Sequence, residues 1–171
     1  MEKIYSQSAG KIRQNKHKLE KELNVKISFT GKTVNIEGRA VEEYLVSNIV
    51  EAMELGFTAE QALLLKDEEV IFEKINIKDI TKRHDLARVR GRIIGTHGKT
   101  REHIEELSDC FVSVHDNVVG IIGKSEDIKK AIQAVTSIIQ GSKQSKVYSY
   151  LERERAKSKQ KGFDEDLGLR E

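Results

Sequence analysis

Eleven residues, Gly91-Arg-Ile-Ile-Gly95-Thr-His-Gly98-Lys-Thr-Arg101, set two glycines three positions apart among cations. Gly95 and Gly98 lack Cβ, so they tolerate dihedrals closed to other residues and let a sugar-phosphate chain approach the main chain closely. A helix beginning near Lys99 would aim its unsatisfied amides and the positive end of its dipole at that loop, which favours phosphate. Lys99 and Arg101 add full charges. From Lys82 to His103 seven Lys and Arg face two acids, a local charge of +5, and three of the five histidines (His84, His97, His103) lie there too. The chemistry on offer is recognition of a phosphodiester backbone.

Other readings of the same residues compete. Gly98-Lys99-Thr100 matches the end of a P-loop, Gly-x-x-x-x-Gly-Lys-Thr, which would make the chain a nucleotide-hydrolysing enzyme. That motif needs a glycine at position 93, where the chain has Ile93, and a strand ahead of the loop. Leu86, Val89, Ile93 and Ile94 recur instead at helical intervals, so the glycines separate two helices. A plainer alternative has them capping one helix and starting the next. It leaves both the glycine pair and the charge unexplained.

The elements that must position this loop occur twice. An ungapped shift of 85 positions aligns Gly10 with Gly95, Leu19 with Ile104, Ile27 with Val112, Val34 with Val119, Gly38 with Gly123 and Gly56 with Gly141. Coincidence of apolar positions and turn glycines marks an internal repeat. In the second copy, Glu69 to Ile80 alternates as a strand, and helices are expected over 85–94 and 99–107. Cys110, Val112 and Val114 alternate with Phe111, Ser113 and His115 in a half-buried strand. Asp116-Asn117 makes a turn, Val118 to Ile122 returns as a strand, and a helix runs from Ser125 toward Gly141. The first copy reads alike, with a strand near 3–6, helices over 9–23, strands over 25–30 and 33–37, and a helix over 40–55. Thr58-Ala-Glu-Gln61 has capping-box spacing.

The expected class is therefore α+β, as two tandem βααββα units with an added C-terminal helix. This order is that of the eukaryotic-type KH fold, whose Gly-x-x-Gly loop clamps single-stranded RNA. The expected domains are residues 1–66, 67–141 with the Gly-Thr-His-Gly loop, a helix over 142–159 and a disordered tail over 160–171. No Gly/Ser/Pro linker separates the copies, so they are expected to pack as one rigid body. In the first copy the loop stands as Gly10-Lys-Ile-Arg13, with its second glycine replaced. That copy is expected to be a degraded RNA site that braces the second and binds protein.

Composition sets limits. The 171 residues suffice for two small domains, and a net charge of +2 gives mild attraction to nucleic acid. The one cysteine, Cys110, excludes a disulfide framework and reads as a buried small hydrophobe. No signal-peptide core or membrane-length apolar run is present, which leads us to expect a soluble cytoplasmic protein. Histidines at 17, 84, 97, 103 and 115 have neither zinc-site spacing nor a His-Glu-x-x-His pair. No enzyme activity, metal or cofactor is expected.

The Gly91–Arg101 segment, Ile104-Glu-Glu-Leu107 paired with Val119-Gly-Ile-Ile-Gly123, and Gly141 followed by Ser145-Lys-Val-Tyr148 together resemble one family. It is the archaeal and eukaryotic two-KH ribosome-biogenesis family whose members partner the Nob endonuclease, and the likeness runs from about Lys3 to about Arg155. It implies binding to the 3′ region of small-subunit ribosomal RNA, help in its maturation and placement of the processing nuclease. Archaeal members also imply association with the α subunit of translation initiation factor two. On this reading Gly95, Thr96, His97 and Gly98 clamp about four nucleotides of backbone, while Lys99, Arg101, Arg92 and Arg90 hold phosphates. Ile94 and Val112 would line an apolar groove for bases, and Phe111 would face outward. The alternative is a KH-fold protein adaptor whose RNA affinity is incidental.

Overall fold

The computed structural model describes residues 1–168. Two compact units divide between Glu73 and Lys74. The first comprises β1 (Glu2–Tyr5), α1 (Ala9–Gln14), α2 (Lys16–Leu23), β2 (Lys26–Thr30), β3 (Thr33–Glu37), α3 (Ala40–Glu54) and α4 (Ala59–Leu63). Its sheet is antiparallel with β3 central, Ile4 opposite Val34 and Ile27 opposite Ile36. The inward residues Ile27, Val34 and Ile36 share a core with Leu19, Val46 and Val50. Each such side chain contributes roughly 1.5–3 kcal/mol by leaving water.

The second unit receives β4 (Val70–Asn76), α5 (Ile77–Ile80), α6 (Leu86–Ile94), α7 (Lys99–Ser108), β5 (Phe111–His115), β6 (Val118–Lys124), α8 (Ser125–Ile139) and α9 (Gln144–Asp166). Here β6 is central between β4 and β5. The fold is α+β, and each unit carries the order strand, helices, two strands, helix. Among the described residues no helix is long and apolar enough to cross a membrane.

The 85-residue offset is a structural repeat in the C-terminal part of each unit. β2 and β5, and α3 and α8, begin and end 85 residues apart, and the following glycines both take positive φ, 105° at Gly56 and 103° at Gly141. Two packing devices repeat with them. A Cβ on Gly38 would lie 2.8 Å from Val25 Cγ1, and one on Gly123 would overlap Cys110 Sγ. Both glycines exist so that the strand can pass that close to the side chain before its neighbour. The outer amide of each edge strand is also covered: Ile27 N–H donates to Glu20 Oε1 (2.8 Å) and Val112 N–H to Glu105 Oε2 (3.2 Å). A carboxylate over an edge amide blunts pairing with another chain.

N-terminal to these elements the repeat fails, and that corrects the sequence comparison of the two loops. Gly10–Arg13 does not form a loop in place of Gly95–Gly98; it lies inside α1. The chain turns instead at the single residue Asn15, whose Nδ2 donates to Lys11 O at 2.9 Å. The first unit has only three residues between β1 and α1 where the second has α5 and the whole of 81–85. With so short a lead there is no length for both a full first helix and a four-residue clamp.

Three boundaries also differ from expectation. The strand expected to reach Ile80 stops at Asn76, because Asn76 Oδ1 accepts from Lys78 N–H (3.0 Å) and starts the one-turn α5. The units part at 73/74 and not at 66/67; Phe72 stands edge-on to Phe57, ring centroids 6.1 Å apart, which holds the start of β4 to the first unit. The last helix runs past Lys159 to Asp166, sustained by side-chain pairs such as Gln160 with Asp164 at 2.9 Å. Of the tail expected to be disordered, 160–166 is therefore helical, and 169–171 lies outside the described residues.

Burial pushes the Cys110 thiol up to about 11, so it packs as an inert hydrophobe. Replacing Gly123 with Ala should cost about 1–3 kcal/mol in urea denaturation. The double variant Gly123→Ala/Cys110→Ala should recover part of that loss, whereas equal losses in both would remove the sulfur contact as the cause.

Candidate nucleic-acid interface

The site grows from the junction of α6 and α7. Val89 and Ile93 bury one face of α6. The helix stops at Gly95, whose φ of 76° and ψ of 175° are open to glycine and closed to L side chains. Residues 96–98 then form a 3₁₀ turn with His97 left-handed (φ 54°) and Gly98 at φ 73°. The two glycines serve different ends. A Cβ at Gly95 would overlap the Thr100 side chain and lie 2.7 Å from its amide nitrogen, so this position is fixed by packing as well as by φ. A Cβ at Gly98 would meet only the Arg101 guanidinium, 3.9 Å away. Gly98 keeps the outer face of the turn bare.

Electrostatics reinforce that geometry. α7 has Gly98 as N-cap, so no side chain covers its first amides, and they project from the loop. Lys99 is exposed and makes no hydrogen bond or ion pair among the described residues. Arg101, with 39% of its side chain exposed, is 3.9 Å from Glu105. Thr96 and His97 are exposed at the tip. The units differ in charge: residues 1–73 hold ten Lys and Arg against thirteen Asp and Glu, a net −3, whereas residues 74–171 hold twenty against fifteen, a net +5. The neutral-looking total conceals a basic unit that carries the loop.

The structure gathers Gly95, Thr96, His97, Gly98, Lys99 and Arg101 at one surface, with half-buried Ile94 beside them. It places three other expected contacts elsewhere. Arg92 donates to Ser142 O (2.7 Å) and Ile138 O (3.4 Å), tying α6 to the end of α8. Arg90 donates to Asn117 Oδ1 at 2.6 Å in the β5–β6 turn. Both guanidiniums are engaged within the unit. Val112 is 1% exposed; the strand parity that turns Phe111 outward turns Val112 into the core, so it presents no wall to a base.

Three residues of the neighbourhood escaped the sequence reading. Thr100 is 4% exposed and lies under Gly95. Gln144 Nε2 donates to Thr100 Oγ1 (3.1 Å) and to Arg92 O (3.2 Å). Glu105 accepts the Val112 amide, and burial pushes its carboxyl above the usual range against the pull of that hydrogen bond and of Arg101. For Glu105 a signal was present: Lys16–Glu20 (4.0 Å) and Arg101–Glu105 (3.9 Å) are the same pair at the 85-residue offset. Nothing local marks Gln144. Among the described residues no group of three His, Cys, Asp or Glu side chains is arranged to hold a metal.

These placements separate the cations experimentally. Arg92→Ala should lose about 1–3 kcal/mol of stability because two backbone carbonyls lose their donor. Lys99→Ala should stay within about 0.5 kcal/mol of the parent in the same denaturation experiment. Equal stability of the two variants would return Arg92 to the surface.

Comparison with known proteins agrees with this geometry. Residues 71–156 match the family model for the second KH domain of PNO1, a eukaryotic-type (type I) KH domain. A KH domain-containing protein of Methanocaldococcus jannaschii is 37% identical over 162 residues, covering 91% of this chain and 71% of its own length. The pre-rRNA-processing protein pno1 of Schizosaccharomyces pombe is 36% identical over 117 residues, 67% of this chain; the match spans about half of that relative, 48%. Among solved structures, the a/eIF2alpha–aDim2p–rRNA complex of Pyrococcus horikoshii contains a chain with TM-score 0.81 and 35% identity, covering 91% of this chain and 94% of that one. A glycine-built turn ahead of an uncapped helix, a match across half the chain to one KH model and a relative aligned over most of both lengths converge: this chain belongs to the PNO1/Dim2 family of KH-domain proteins.

Proposed function

We propose that the chain is a non-enzymatic RNA-binding assembly factor of the small ribosomal subunit, built from two tandem KH folds. The second holds single-stranded rRNA near its 3′ end while the protein positions processing factors. One observation carries the reading: at Gly95–Gly98 the backbone is bare of side chains and opens onto the uncapped first turn of α7 beside unpaired Lys99. Thr96, His97 and the loop amides contact the sugar-phosphate chain, Lys99 and Arg101 neutralise phosphates, and Ile94 flanks the bases. Arg90 and Arg92 support the unit from within. The Pyrococcus horikoshii complex of aDim2p with rRNA and a/eIF2alpha supports RNA and the α subunit of translation initiation factor two as partners. A Nob-type endonuclease follows from the family resemblance, and the cytoplasm is the proposed compartment.

A second reading, a protein adaptor with incidental RNA affinity, draws on the first unit. That unit is net negative, has no glycine clamp and exposes Val41 and Tyr44. The two readings part in one experiment: binding to a short RNA copied from the 3′ end of the organism's own small-subunit rRNA, beside a scrambled RNA and the Thr96→Asp/His97→Asp variant. We expect preference for the native RNA, loss of binding in the variant with thermal stability nearly unchanged, and a salt slope near about −2 for roughly three phosphates neutralised on a single strand. Weak binding indifferent to both RNA sequence and loop charge would favour the adaptor; a large loss of stability in the variant would make the loop structural.

A further inference from the structure

Helix α9 lies outside the strand-and-helix order shared by the two units, yet its first residue reaches the base of the clamp. Gln144 Nε2 donates to Arg92 O, in the last turn of α6, and to Thr100 Oγ1, in the first turn of α7. These acceptors bracket Gly95–Gly98. Thr100 is buried, and its side chain fills the volume that a Cβ at Gly95 would need. The contact is answered in the other direction, since the Arg92 guanidinium donates to Ser142 O, two residues before Gln144. The end of α6 and the α8–α9 connector therefore hold one another by both side chains.

The rest of α9 fixes Gln144 in place. Val147 and Leu151 are buried. The Tyr148 ring lies 4.3 Å from the His103 ring on α7, and Arg155 Nη1 donates to Glu106 O at 3.1 Å near the end of α7. α9 thus runs beside α7 from first turn to last, and its placement is set by several independent contacts.

We infer that Gln144 is a positioning residue of the RNA clamp: its amide fixes the spacing of the two helix ends that carry Gly95–Gly98, which makes α9 a working part of the RNA site. The inference rests on the RNA-binding reading above. The loop has three positive-φ residues and few side-chain contacts of its own. Its geometry is held from below, where one carboxamide satisfies two acceptors that would otherwise lie half-buried without a donor.

The test uses the full chain with Gln144→Met, which keeps the length and removes the donor, and Thr100→Val, which removes the acceptor. Three quantities are read: affinity for the 3′ rRNA oligonucleotide, amide chemical shifts of residues 95–98 in the free protein, and the melting temperature. We expect both variants to shift the loop amides and to bind RNA about tenfold more weakly, with the double variant little worse than either single one because they break the same contact. Unmoved loop amides in a folded Gln144→Met protein would overturn the inference whether or not RNA binds. Shifted amides with parental affinity would overturn the link to the clamp. A parent protein that binds no single-stranded RNA would instead sink the proposed function, a result the amide shifts would distinguish.

Discussion

The second unit turns on a steric coincidence at Gly95. The backbone there adopts a left-handed φ, and the space a side chain would occupy belongs to Thr100. Both facts demand glycine, and both follow from bringing the end of α6 directly against the start of α7. That closeness exposes the turn 96–98 and leaves α7 without a side-chain cap. An uncapped helix start is ordinarily a cost to stability. Here the open amides lie beside two cations, where an anionic backbone would satisfy them.

The two units show how a shared scaffold diverges. The edge-strand caps by Glu20 and Glu105, the close approaches at Gly38 and Gly123, and the positive-φ glycines 56 and 141 recur at one offset. What differs is confined to the segment before α2 and α7. In the first unit the lead from strand to helix is three residues and the helices join at Asn15, so no turn projects. Charge follows the same division, net −3 against net +5. The scaffold is kept where it builds the core and changed where it meets a ligand.

Arginine illustrates why local charge is a poor guide to contact. Five arginines fall between 83 and 101, and all would attract phosphate if they were free. Arg92 and Arg90 are spent on acceptors 46, 50 and 27 residues away. The guanidinium fork can satisfy two carbonyls at once, which suits it to closing the gap between α6 and the end of α8. Positive potential still reaches the surface from these groups, but direct contact belongs to Lys99 and Arg101.

The sequence by itself determined the glycine turn, the helices on either side of it, the α+β class and the offset that relates β2, β3 and α3 to β5, β6 and α8. Each of these rests on conformational preference or periodicity within a few residues: a φ that only Gly accepts, an apolar stripe, a capping box such as Thr58–Gln61. Tertiary structure alone decided that Arg90 and Arg92 point inward, that Val112 is core, that Gly10–Arg13 is helix, and that Gln144 supports the loop. Those outcomes depend on which groups are brought together across tens of residues, and a buried donor takes whichever acceptor the packing supplies. The physical boundary between the two kinds of knowledge is the range of the interaction: backbone preference is written locally, and hydrogen-bond partnership is settled only when the chain closes on itself.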